Sequence, residues 1–217
     1  EAATEKNKGN KDKALALYQK GLTLPGDKAP IHYELSKLYA EENDIEKANF
    51  HINEALKIDA TNNWYWKFYI KLGRSENDFN KVEQGYLELI KLNPKDVDYL
   101  TELSDIYLAK PDYDKALELY IQIESKIGVT KRINQNKFLI YKNNKKFTEA
   151  LLELQKLNNA FPLDTDYYLD IADFYIDLNN NKAALESIEK GLEILPNHPD
   201  LLMGKGDYYF HNKEYVS

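Results

Sequence analysis

The sequence contains no cysteine. Disulfides, thiolate catalysis, cysteine-ligated zinc and iron–sulfur clusters are therefore excluded together. Methionine occurs once and tryptophan twice. No run of about 18 apolar residues is present and no apolar segment lies near the N-terminus, so neither a membrane span nor a signal peptide is visible. Positive charge is in deficit: 29 Lys and Arg stand against 36 Asp and Glu, a net charge of −7. A chain of that sign is not built to hold nucleic acid phosphates. Phosphate-cradling stretches of the form G-x-x-x-x-G-K-[ST] or G-x-G-x-x-G are missing. The four histidines, His32, His51, His198 and His211, never stand four residues apart, the spacing that would put two imidazoles on one metal. His32 is expected to be a partly buried structural ring. One stretch, Asp177-Leu178-Asn179-Asn180-Asn181, opens like a calcium loop. Lys182 stands where that loop needs glycine and Ile188 where it needs a bidentate glutamate, so it reads as a turn. No cofactor, no metal and no enzyme activity is expected.

What the chain does contain is a period. Ala14, Ala48, Val82, Ala116, Ala150 and Ala184 follow one another at intervals of 34 residues without an insertion. Four positions after each lies a bulky residue: Tyr18, Ile52, Tyr86, Tyr120, Leu154 and Ile188. Pro94, Pro162 and Pro196 form a further column. Within each period the apolar spacing is helical, as in Leu35, Leu38 and Tyr39, and strand-type alternation is nowhere sustained. Turn-favouring groups such as Glu42-Asn43-Asp44, Lys110-Pro111-Asp112, Lys142-Asn143-Asn144 and Leu178-Asn179-Asn180 split each period into two helices. With 43% apolar and 30% charged residues, such helices have enough hydrophobic surface for a packed core.

These columns resemble the tetratricopeptide repeat, whose motif runs W-x2-L-G-x2-Y, A-x3-F, P. The resemblance covers the whole chain: a partial repeat at 1–28, full repeats at 29–62, 63–96, 97–130, 131–164 and 165–198, and a cut repeat at 199–217. The sixth lies nearest the motif, with Tyr168, Ile171, Ala172, Tyr175, Ala184, Ile188, Gly191 and Pro196 on its columns. Ser36 and Ser104 fall in a small-residue column, where close helix approach explains them better than nucleophilic attack. The third repeat departs with Ile70 and Val82 at small positions, and Gly73 is expected to offset part of that volume. The fifth departs with Asn134 and Lys137 in place of apolar residues. The implied fold is all-α: a right-handed superhelical solenoid of about six repeats with partial ends. The cut ends lead to the expectation of a fragment of a longer protein.

In this family the ligand-facing residues come mainly from the first helix of each repeat. Carried over, those positions imply a concave groove whose one end is aromatic and basic: Tyr33 and Lys37, then Trp64, Lys67, Phe68, Lys71 and Arg74. The other positions are Asp98, Glu102 and Asp105, Arg132 and Asn136, then Asp166, Leu169, Asp170, Asp173 and Asp177, and Met203 and Asp207. The aspartates of the sixth repeat fall on one helical face. They read either as an acidic wall for a partner or as a solvated face, and Asp98 and Asp166 are already accounted for by the helix dipole. The implied function is a non-catalytic scaffold, an adaptor or assembly factor that captures a protein segment bearing basic and apolar residues. The rival readings are a targeting arm of a larger enzyme and a subunit of a secretion or assembly complex. A chaperone carboxylate clamp does not fit, because Glu102 stands where asparagine is needed. The resemblance extends to proteins of the bacterial envelope, which implies the periplasm, with the cytoplasm as the alternative.

Overall fold

The computed structural model describes residues 1–211, and residues 212–217, within the expected repeat at 199–217, lie outside the described part. The chain divides into two compact halves, Glu1–Lys110 and Pro111–Ser217. The N-terminal half consists of α1 (Ala2–Asn7), α2 (Lys11–Thr23), α3 (Ala29–Glu41), α4 (Ile45–Ile58), α5 (Asn63–Glu76), α6 (Phe79–Leu92) and α7 (Val97–Ala109). The C-terminal half holds α8 (Tyr113–Ile127), α9 (Lys131–Asn143), α10 (Phe147–Ala160), α11 (Asp166–Asp177), α12 (Asn181–Ile194) and α13 (Pro199–His211). In the first half α1 packs on α2, α3 on α4 and α5 on α6, while α2, α4 and α6 each lean on the helix that follows. The second half repeats this with α9 on α10 and α11 on α12, joined through α8·α9, α10·α11 and α12·α13.

The period is written into the turns as well as the core. Gly9, Asn43, Asn77, Lys145 and Asn179 occupy the same point of the 34-residue repeat and all have positive φ, between 54° and 83°. Asparagine tolerates that conformation better than most residues, whereas a lysine there carries a backbone cost. One position on, Asp44, Asp78, Asp112 and Asn180 cap the second helix, each side chain accepting from the backbone N–H three residues ahead. Lys146 stands at that point in the fifth repeat and α10 has no side-chain cap.

Ala14, Ala48, Ala116, Ala150 and Ala184 are fully buried, and Val82 nearly so. A small side chain here lets the paired helices approach. Ser36 Oγ donates to Ala48 O at 2.6 Å, which satisfies the hydroxyl inside that contact. Ser104 is equally buried and donates to Thr101 O at 2.7 Å.

The third repeat solves its excess volume by two exchanges. A Cβ at Gly85 would lie 2.4 Å from Ile70 Cγ1, so Ile70 occupies space that only a glycine on α6 leaves open. Gly73 makes room for Val82, the other oversized residue of this repeat: a Cβ there would meet Val82 Cγ2 at 3.0 Å and Lys81, whereas Ile70 is received by Gly85.

In the fifth repeat the polar substitutions build a buried ionic network. Lys137 is 2% exposed and its Nζ lies 2.5 Å from Glu124 Oε2 and 2.8 Å from Glu153 Oε1. Asn134 Nδ2 donates to both carboxylates at 2.7 Å, and its Oδ1 accepts from Thr130 N at 2.9 Å. Lys156 closes the set, 3.1 Å from Glu124 and 3.0 Å from Glu153. Two ammoniums balance two carboxylates, which is the condition for burying them.

Candidate interaction surface

In the N-terminal half the first helices α3, α5 and α7 bring together the aromatic and basic residues read from the sequence. Tyr33 packs on Tyr65 and meets the edge of Phe68, at ring distances of 5.1 and 5.7 Å. Phe68 is only 9% exposed and forms the floor, whereas Trp64 is 66% exposed and stands out from it. Lys37 lies over Tyr33 and pairs with Glu34 at 2.8 Å. Lys67 lies 5.2 Å from the centre of Trp64 and 5.7 Å from that of Tyr99, and Lys71 is 5.8 Å from that of Phe68. Ammonium over an aromatic face is an attractive placement.

Between α5 and α7 opens a cavity of about 430 Å³, with Ile70, Tyr86 and Leu89 beneath and Lys67, Lys71, Arg74, Asp98, Tyr99 and Glu102 around it. Arg74 spans the gap. Its guanidinium donates to Glu102 Oε2 at 2.8 Å and to the Tyr86 hydroxyl at 2.7 Å. Tyr86 in turn donates to Glu102 at 3.2 Å. Burial, opposed by Arg74 and assisted by Glu102, pushes the Tyr86 hydroxyl up to about 12, so it remains a donor at any physiological pH. Asp105 lies exposed further along α7.

The C-terminal half has a counterpart of opposite sign. Asp166, Asp170, Asp173 and Asp177 line the exposed side of α11. Partial burial, then the charges of Asp166, Asp173 and Asp164, raise the Asp170 carboxyl above its ordinary value, with Lys142 opposing. Asp173 is raised by burial and by Asp177. Lys142 reaches Asp177 at 3.4 Å, and among the described residues no cation pairs with Asp166, Asp170 or Asp173. A cavity of about 460 Å³ lies between α11 and α13, lined by Leu169, Ala172, Asp173, Ile176, Ile188 and Asp207 among others. Met203 is 64% exposed on α13. On α9, Arg132 is exposed, while Asn136 donates to the Tyr120 hydroxyl at 3.0 Å and is thereby held in the packing.

One pairing was invisible in the spacing. The hairpin of α3 and α4 places His32 Nδ1 2.9 Å from His51 Nδ1, so one ring donates and the other accepts. Tyr39 stacks on His51 at 5.4 Å with an interplanar angle of 1°. Burial first, and then the charge of His32, lower His51 to about 4 against the pull of Glu54. Both rings are structural in this setting. Among the described residues no group of three or more His, Asp or Glu converges as metal ligands. No described helix is long and apolar enough to cross a membrane.

The family model for the tetratricopeptide repeat matches residues 29–62 and 165–198, the second and sixth repeats of the period. The TPR repeat-containing protein YpiA of Bacillus subtilis (strain 168) is 24% identical over 168 residues, covering 76% of this chain. This chain spans 39% of that relative's length. Among solved structures, a tetratricopeptide repeat protein from Parabacteroides merdae ATCC 43184 superposes with a TM-score of 0.51 at 19% identity, covering 98% of this chain and 84% of that one. MamA from AMB-1 gives 0.52 at 15% identity, covering 81% and 97%. At such identities the likeness is one of fold.

Proposed function

Since the chain is a tetratricopeptide repeat protein, we propose that it is a non-catalytic scaffold that captures segments of other proteins on the faces of its first helices. The observation carrying this reading is α11: three carboxylates on one face without a cationic partner, two of them, Asp170 and Asp173, raised in pKa by partial burial and by neighbouring aspartates. Like charges held together in the free protein are relieved when a cation arrives. The cavity beside them offers Leu169 and Ile176 to an apolar side chain. The partner of the C-terminal half is therefore a segment carrying Lys or Arg next to an apolar anchor.

The test compares binding of amidated peptides pairing Lys or Arg with Leu or Phe to the wild type and to a variant carrying Asp170→Lys, Asp173→Lys and Asp177→Lys. We expect binding to weaken at least about tenfold, a change of about 1.4 kcal/mol, and to lose its salt dependence. Equal affinity with an unchanged salt slope would contradict the assignment.

A further inference from the structure

The cavity between α5 and α7 differs from its counterpart in one respect that selects a ligand. Lys67 and Lys71 are separated by one helical turn, on the same exposed face, and among the described residues neither forms an ion pair with any carboxylate. Two like charges at that spacing repel one another, and the aromatic faces beneath them offset only part of that repulsion. The carboxylates nearby are otherwise engaged. Glu102 is held by Arg74 and by the Tyr86 hydroxyl. Asp98 sits in the first turn of α7, where the helix N-terminus favours a negative charge.

We propose that this cavity receives an apolar side chain, Leu, Phe or Trp, of a partner segment whose neighbouring Asp or Glu side chain is taken by Lys67 and Lys71. The proposal rests on reading the first-helix faces as interaction surfaces and adds a second partner chemistry, opposite in sign to that of α11. Ile70, Tyr86 and Leu89 supply the floor, and Tyr99 an aromatic wall. At about 430 Å³ the space suits a single large side chain with part of its backbone. The exposed indole of Trp64 flanks Lys67, so a segment lying along α5 covers apolar surface that the free protein leaves in water. A polyphosphate backbone is disfavoured, since two unpaired ammoniums are a small complement for a run of phosphates.

The experiment uses the full chain and acetylated, amidated peptides in which one Glu stands next to a Leu or Phe, with tryptophan emission and fluorescence anisotropy as readouts and a Trp64→Phe variant to isolate the contribution of Trp64. Controls are the same peptides with Gln for Glu, with phosphoserine for Glu, and with a free C-terminus in place of the Glu. We expect the Glu peptides to bind and to shift the tryptophan emission of the wild type. Affinity should fall at least about tenfold for the Gln peptide and for the Lys67→Gln, Lys71→Gln variant. Equal binding of the Gln peptide, or binding of only the phosphoserine or only the free-acid peptide, overturns the proposal. If basic peptides bind at α11 while Glu peptides do not bind, this proposal alone fails. If neither class binds, the interaction-surface reading fails with it.

Discussion

Protonation of His51 works against the fold. The ring is stacked on Tyr39, hydrogen-bonded to His32 and held at about 4, while an unfolded histidine titrates near 6.5. A histidine depressed in the native state binds its proton more readily when unfolded. Its contribution is complete above about pH 6.5 and is lost as pH falls toward 4. The loss amounts to the order of 3 kcal/mol at pH 4. Glu54 and Lys28 are the other charges acting on the pair, and Glu54 attenuates the effect. Urea unfolding at pH 7 and pH 4 should show a larger drop in midpoint for the wild type than for His51→Phe. Identical pH slopes in the two proteins would refute this account of the pair. The two histidines lie 19 residues apart, a distance that has no meaning until α3 and α4 are folded against one another. Ile70 and Gly85 are alike in this. Ile70 stood out as too large for its column, but the space that receives it belongs to a glycine on the next helix.

At the scale of the element, α9 is the helix that departs furthest from its neighbours, and its buried charge explains how it survives. Burial alone would raise the Glu124 carboxyl. Hydrogen bonds from Lys137, Asn134 and Lys156, with the charge of Lys137, outweigh that and hold it at about 2. A carboxyl depressed in this way contributes stability above its unfolded value near 4.5 and loses it as pH falls through about 2. Lys137→Met leaves the buried Glu153 and the partly buried Glu124 without their central cation and should cost about 3 kcal/mol or more in equilibrium unfolding. Adding Glu124→Leu and Glu153→Leu to that variant should recover most of the loss. A single substitution that leaves the unfolding midpoint unmoved would show that the network carries no such weight. The sequence marked Asn134 and Lys137 as departures from an apolar pattern. It did not show their partners, because Glu124 lies on α8 and Glu153 on α10, each polar residue unremarkable by itself in a chain with 36 acidic side chains. The hairpins themselves were legible, since the alanine column, the turn asparagines and the capping aspartates all share one period and reinforce one another.

For the molecule as a whole, the net charge of −7 conceals a division between faces. The first helices of the N-terminal half carry Lys67, Lys71 and Arg74, with Asp98 and Glu102, around one cavity, and those of the C-terminal half carry Asp173 and Asp207 around another. The family's habit of binding through its first helices pointed to these positions. Only the coordinates distinguish Phe68 as floor from Trp64 as exposed wall, and Arg74 as a residue tied to Glu102 from Lys67 and Lys71 as ammoniums without an acid. The central claim is that partners meet the first helices of the repeats rather than the second. Hydrogen–deuterium exchange of the full chain, with and without saturating acidic–apolar and basic–apolar peptides, tests it most directly. Exchange should slow in α5 and α7 with the acidic peptide and in α11 and α13 with the basic one, whereas protection confined to α4, α6, α10 and α12 would show that partners meet the second helices instead.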